Sequence, residues 1–246
     1  MRSRDSLSLT ATQQEQYHQQ GFVHLPMVLR QEELDQYRRE AEALHETVGP
    51  PKAMKTRIQI ESEPDNGQMK LRQIEPVTDL SSAFERLSRD PRTIGPVEQL
   101  FGEPAVLFED KLNYKPARVG SGFPMHQDRS YWQKYSKRLL TVFVHIDDAT
   151  PDNGCMRLVP GEQRDRLLSC SAWEDGTHHK ISVDELDSSQ AIEMPCHAGD
   201  VLIFHCMTPH ESSPNRSDQE RRAIIFSYNP LSDGNVYRER YADVLI

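Results

Sequence analysis

Long apolar runs are missing from this chain. No stretch approaches the roughly 18 consecutive apolar residues that a membrane-crossing helix needs, so no membrane partner is expected. The opening residues, Met1-Arg-Ser-Arg-Asp5, run into polar, Gln-rich sequence and lack the apolar segment of a secretory signal. Basic charge is in deficit, with 29 Lys+Arg against 38 Asp+Glu and a formal net charge of −9. Phosphate contacts need Lys and Arg in excess, so a nucleic-acid partner is not expected. Cysteine is sparse: Cys155, Cys170, Cys196 and Cys206 include no C-x-x-C pair, which excludes a zinc knuckle or a thioredoxin-type motif. Free thiols and a cytoplasmic location are the expectation that follows.

What is present is a polar but globular chain of 246 residues, long enough to bury a core without staples. Thr10 is a plausible N-cap for a polar helix over 11–20, stopped by Gly21. The segment 22–29, punctuated by Pro26, reads as a short edge strand. Leu34, Tyr37, Ala41 and Leu44 recur at spacings of three and four, predicting an amphipathic helix over 30–47. Residues 52–67 read as loop and 69–74 as a short strand. The stretch 80–101 reads as helix interrupted near Pro91 and Pro96 and closed by Gly102.

From Pro104 the texture changes. Short β-branched and aromatic runs at 106–114, 139–146, 156–159, 201–204 and 223–228 are separated by turns, with no helical pattern between them. That order predicts an antiparallel sandwich or barrel rather than a βαβ sheet. One domain over 1–246 is expected, with a helical part to about 103 and a β core over about 104–230.

The sharpest local feature is His126-Gln127-Asp128. Residues i and i+2 of an extended segment share a side, so the pair presents an imidazole and a carboxylate together. One further histidine completes the 2-His-1-carboxylate set of non-haem Fe(II) oxygenases. His210 and His205 compete for that role on position alone, while His178 and His179 sit in a charged loop and read as solvated. Eleven residues after His210 comes Arg221, whose planar fork suits the distal carboxylate of 2-oxoglutarate. Arg222 projects to the opposite face of the same strand and reads as a surface charge.

Several segments together carry a resemblance. They are Asp110-Lys-Leu-Asn-Tyr-Lys-Pro116, the H-x-D pair, Asp152-Asn-Gly-Cys-Met-Arg-Leu-Val-Pro-Gly161, Ala198-Gly-Asp-Val-Leu-Ile-Phe204 and the stretch from His210 to Ala223. The joint pattern covers nearly the whole chain and resembles the phytanoyl-CoA dioxygenase family of Fe(II)/2-oxoglutarate oxygenases. Where family members often read Pro-Gly-Ser-His, this chain has Pro160-Gly-Glu-Gln163.

The resemblance implies a mainly β fold with α elements: a double-stranded β-helix (jelly-roll, cupin-like) barrel with N-terminal and flanking helices. It implies His126, Asp128 and His210 as iron ligands, in preference to His205. It implies Arg221, Asn113 and Ser212 as contacts of 2-oxoglutarate, with Thr141, Lys70 and Lys111 as lesser candidates. Gln127, Tyr131 and Trp132, flanking the ligands, are expected to line the substrate pocket or, failing that, to pack beside its mouth. The implied reaction consumes O2 and 2-oxoglutarate, releases succinate and CO2, and oxidises a C–H bond of a small molecule. The carboxylate at Asp128 argues against halogenation, since related halogenases carry a small residue there. Two other readings stand beside this one: a cupin-like metalloenzyme that does not use 2-oxoglutarate, and a non-catalytic small-molecule-binding barrel. Arg221 and Ser212 weigh against both.

Overall fold

The computed structural model describes residues 7–48, 57–63, 67–163, 166–173 and 178–245. Its elements run α1 (Ala11–Gln20), β1 (Phe22–Leu25), α2 (Gln31–Val48), β2 (Ile58–Ser62), β3 (Met69–Ile74), α3 (Ser82–Ser88), α4 (Pro91–Phe101), β4 (Ala105–Lys115), β5 (Phe123–His126), β6 (Leu140–His145) and β7 (Met156–Leu158). There follow β8 (Cys170–Ala172), β9 (His179–Ile181), β10 (Ile192–Met194), β11 (Val201–His205), β12 (His210–Ser212), β13 (Arg221–Pro230) and α5 (Tyr237–Arg240).

Local chemistry explains the helix ends. Thr10 and Gln13 form a reciprocal capping box at the start of α1. Gly21 ends that helix at φ 85°, and a Cβ there would meet Thr208 Oγ1 at 2.5 Å, so both backbone and space require glycine. The stripe Leu34, Tyr37, Ala41, Leu44 and Val48 is the buried face of α2. Asp90 caps α4 and Pro91 takes its first position. Pro96, expected to interrupt this helix, lies inside it instead, with Pro96 and Val97 both buried. The break falls at Arg89 and Asp90, between α3 and α4.

Two antiparallel sheets carry the architecture. The larger has the order β1-β11-β6-β13-β4-β3-β2, the smaller β10-β7-β12-β5, and β8 pairs with β9 as a separate hairpin. The expected edge strand is β1. Alternation sorts the large sheet into two faces. Val142 and Val144, Val201 and Ile203, and Ile224 and Phe226 pack outward with the helices in the main core. Phe143, Leu202, Phe204, Ala223 and Ile225 face inward and meet Met156 and Leu158 of the small sheet. The sheets therefore face each other as the two layers of a jelly-roll sandwich. No strand pairing joins them into a closed barrel among the described residues.

Two stretches depart from the sequence expectation. Within 52–67, read as loop, Ile58–Ser62 is a strand, while 52–56 and 64–66 lie outside the described residues. As the outer strand of its sheet, β2 shows only the two-residue alternation Ile58 and Ile60, with Ile60 39% exposed, too short a pattern to mark a strand. The later loop region holds the short, largely exposed hairpin β8–β9 for the same reason.

Candidate active site

His126 ends β5, and His210 opens β12 directly opposite it in the ladder. Cross-strand pairing thus brings two histidines 84 positions apart to a ring-centroid separation of 4.2 Å. Asp128 begins the 3-10 turn that follows β5, and its Oδ1 lies 3.6 Å from His126 Nε2 and 3.7 Å from His210 Nε2. All three side chains are buried, and their ligand atoms lie within 4.8 Å of one another.

Backbone carbonyls fix the imidazoles. His126 Nδ1 is 2.7 Å from the Pro124 carbonyl, and His210 Nδ1 is 3.0 Å from the Thr208 carbonyl. With Nδ1 donating, each Nε2 keeps its lone pair for the centre of the cluster. Thr141 Oγ1 donates to Asp128 Oδ2 at 2.9 Å and leaves Oδ1 facing the histidines. Burial alone would raise the Asp128 pKa, but His210 and His126 beside it outweigh that and hold the carboxyl ionised, well below the usual carboxylate range. Burial, reinforced by His126, pushes His210 down to about 4 and keeps its imidazole neutral. Two imidazoles and one carboxylate are a complete facial donor set for a divalent metal.

A cavity of about 70 Å³ opens from these groups, walled by the inner face of the large sheet. Lys111 and Asn113 from β4, Thr141 and Phe143 from β6, and Arg221 and Ile225 from β13 line it, with Gln73, Glu211 and Ser212. Arg221 is 4% exposed, and neither its Nε nor its Nη1 has a hydrogen-bond partner among the described residues. Burial pulls its pKa down to about 10. Asn113 Oδ1 is likewise buried and unpartnered. Ser212 Oγ accepts from Lys115 Nζ at 2.8 Å, and Lys115 also donates to the Ser213 carbonyl. Burial first, then Arg221 and Arg72, push Lys115 down to about 6. A groove of about 910 Å³ leads in between the small sheet and the 180–188 segment, sharing Phe123, Glu211 and Ser212 with the cavity.

The structure therefore brings His126, Asp128, His210, Arg221, Asn113, Ser212, Thr141 and Lys111 to one cavity. Three sequence expectations need correction. Gln127 points away: its Nε2 donates to the carbonyls of Met207 (2.6 Å) and Arg166 (3.2 Å), and its Oε1 accepts from Leu168 N. As residue i+1 between two ligands it must occupy the opposite side. Trp132 is 3% exposed and packs edge-on against Phe108 at 5.2 Å, because the turn after Asp128 rotates it into a separate cluster with Cys206 and Met207. His179 is not solvated: it stacks on Tyr131 at 4.5 Å, with its Nδ1 2.9 Å from Ser130 Oγ. Tyr131 in turn sets its ring edge-to-face against His126 at 5.8 Å and shields it.

Other positions sort themselves. Lys70 lies at the surface beside Gln68 and Glu63. Arg222 projects outward to Asp147 and Glu42, while His205 Nδ1 accepts from Met207 N. Sequence reasoning missed Lys115, Gln73, Phe143 and Glu211. The signal for Lys115 was there, since Lys111, Asn113 and Lys115 share one side of a strand by parity.

The family model described as phytanoyl-CoA dioxygenase (PhyH) matches residues 17–223. The chain is 32% identical over 239 residues to the 2-aminoethylphosphonate dioxygenase of uncultured bacterium HF130_AEPn_1, covering 95% of this chain and 87% of that protein. It is 30% identical to the ectoine dioxygenase of Halomonas elongata, covering 90% of this chain and 70% of the relative. Among solved structures, EctD from S. alaskensis with 2-oxoglutarate and 5-hydroxyectoine superposes with a TM-score of 0.77 at 23% identity, covering 92% of this chain and 77% of EctD.

Proposed function

The chain belongs to the phytanoyl-CoA dioxygenase family, and we propose that within it this protein oxidises an unactivated C–H bond of a small, charged metabolite. Its class is that of the Fe(II)- and 2-oxoglutarate-dependent dioxygenases. The observation that carries the site assignment is a buried guanidinium with two unpartnered nitrogens in the same cavity as two imidazoles and a carboxylate whose ligand atoms converge.

The residues fit both groups. His126, Asp128 and His210 would hold Fe(II), with Nε2, Nε2 and Oδ1 already converging. Arg221 would receive the distal carboxylate of 2-oxoglutarate through its unpartnered nitrogens, with Ser212 and Asn113 beside it. Iron, when bound, supplies the oxygen chemistry that converts 2-oxoglutarate to succinate and CO2 and oxidises the substrate. The chain supplies the rest. Carbonyls of Pro124 and Thr208 hold the imidazole tautomers, and Thr141 orients the carboxylate. Phe143, Phe204, Met156 and Ile225 give the cavity apolar walls that exclude water from the reacting centre.

The class of substrate rests on what else faces that space. Burial works against the charge on Lys111, but Glu109 and Glu75 outweigh it, so this lining ammonium stays protonated. Arg157 and Glu211 pair at the groove. A small molecule bearing an anionic group, alone or with an amine, suits these walls. The relatives are named for 2-aminoethylphosphonate, methylphosphonate, ectoine and L-proline, all small and polar. We take residues 1–246 as one catalytic domain working in the cytoplasm.

Succinate release tests this reading. With Fe(II), 2-oxoglutarate and O2, a panel of small phosphonates, amino acids and cyclic zwitterions is expected to contain compounds that raise succinate above the uncoupled background. Substrate conversion that proceeds without 2-oxoglutarate would overturn it.

A further inference from the structure

A second group of metal-type donors lies at the edge of the large sheet, and none of its residues lines the catalytic cavity. His24 is the third residue of β1, Asp200 immediately precedes β11, and Cys196 sits on the approach to it, held by a two-way backbone bridge to Ala149. His24 Nε2, Asp200 and Cys196 Sγ place their ligand atoms within 4.8 Å of one another. The Asp200 and Cys196 side chains are buried, whereas His24 keeps a 29% exposed side chain and gives the cluster a door to solvent.

The carboxylate is already aimed. Met27 N–H donates to Asp200 Oδ1 at 2.9 Å, and His197 N–H donates to Oδ2 at 2.9 Å. Two backbone donors of this kind do for a metal-binding carboxylate what outer-shell partners do in known sites: they fix its orientation before the ion arrives. His24 Nε2 meets Oδ2 at 2.8 Å, so the imidazole too is held in place with its ring nitrogen turned into the cluster. In the metal-free protein, burial, followed by the charge of Asp200 and by Cys155, keeps the Cys196 thiol protonated. A divalent cation reverses the sign of that field.

We propose that His24, Cys196 and Asp200 form a second, thiolate-containing site for Zn2+, separate from the His126–Asp128–His210 set. Imidazole, thiolate and carboxylate together make a borderline-soft donor set of the kind zinc takes in four-coordinate sites, with the fourth position open on the His24 side. Binding replaces the His24–Asp200 hydrogen bond by two metal–ligand bonds. The thiol proton of Cys196 leaves to solvent, and the imidazole proton moves from Nε2 to Nδ1. Sulfur separates the two sites chemically: the catalytic set has none. The bound ion would pin β1 to the start of β11 at the sheet edge.

Co2+ as a stand-in for Zn2+ tests this on the full-length protein after removal of metals with a chelator. Cobalt on the catalytic set gives no thiolate-to-metal charge-transfer absorption, so the band reports a thiolate site, and the cysteine variants assign it to Cys196. The expected result is a near-ultraviolet thiolate band that saturates by two cobalt per chain, by one in Asp128→Ala, and is displaced by Zn2+. The band is absent in Cys196→Ser, weakened in His24→Gln, and unchanged in Asp128→Ala and in Cys170→Ser. Far-ultraviolet circular dichroism verifies the fold of each variant. If Cys196→Ser fails to fold, the partly exposed His24→Gln carries the test, and its band must fall. No thiolate band in the wild type under excess Co2+ overturns the proposal, as does a band that persists at full strength in folded Cys196→Ser.

Discussion

Thr141 Oγ1 donates a 2.9 Å hydrogen bond to Asp128 Oδ2, across 13 residues of sequence and from one sheet to the turn beyond the other. A side chain assigned from the sequence to the cosubstrate thus spends its hydroxyl on orienting the metal-binding carboxylate. Thr141→Val keeps the shape and removes the bond. Fe(II) affinity is expected to fall by about 10- to 100-fold, the usual effect of losing an outer-shell partner. Competition against a colorimetric chelator measures it. Unchanged iron affinity with a raised KM for 2-oxoglutarate would return Thr141 to the cosubstrate.

Arg221→Gln separates the two halves of the cavity. A buried charge-assisted hydrogen bond contributes about 1.5–3 kcal/mol, which corresponds to a rise of about 10- to 150-fold in the KM for 2-oxoglutarate. Fe(II) binding, which uses none of the Arg221 atoms, should change little. Parallel titrations of metal and cosubstrate decide it; equal losses of both would show that the variant disturbs the sheet.

Gln127 gives the opposite pattern. Its side chain satisfies two carbonyls and one N–H of the 166–168 and 207 backbone. Gln127→Ala leaves buried backbone groups unpaired, at about 1–3 kcal/mol each. A drop of several degrees in Tm is expected, as about 2–4 °C accompanies each kcal/mol in a chain of this size. KM for substrate should hold in the folded fraction. A changed substrate KM without a change in Tm would restore Gln127 to the pocket.

His145 offers a pH test. It is fully buried beneath Phe143, neither ring nitrogen has a partner among the described residues, and burial together with Arg221 pushes its pKa down to about 3. The unfolded chain takes up this proton below its ordinary value of about 6.5, while the folded chain refuses it until about pH 3. Unfolding therefore binds a proton in that window, and the wild type loses stability as the pH falls through it. His145→Leu lacks this loss. The gap in denaturant stability between variant and wild type should widen in favour of Leu by about 1.4 kcal/mol per pH unit between pH 6 and 4. A gap that stays constant with pH would mean that His145 is protonated, or paired, in the folded protein.

Periodicity made the secondary structure readable wherever an element buries one face. The α2 stripe is visible because burial selects apolar residues at helical intervals, and β6 and β13 are visible as short apolar runs because both of their faces are buried. The strand β2 and the hairpin β8–β9 are short and mostly exposed, with Ile181 their one buried residue, so the pattern they carry is too short to mark them. Pro96 misled for a related reason: a local rule against proline in helices is overridden by burial of the residue.

The sequence by itself determined the chemistry. H-x-D, a later histidine and an arginine eleven positions on specify the donor types, and their spacing restricts which strands can carry them. Gln127 is expected from the sequence at the pocket, and only the packing of its amide on the 166–168 and 207 backbone turns it away. Position along the chain left His205 and His210 open; the resemblance implied His210, and the tertiary structure supplies the physical reason in the ladder register His210↔His126. Only it revealed that Lys115 reaches Ser212, that Thr141 serves Asp128, and that His179 covers Tyr131. These contacts join residues 97, 13 and 48 positions apart. Sequence patterns encode which face of an element is buried, but the partner across the gap is fixed by how the two sheets pack.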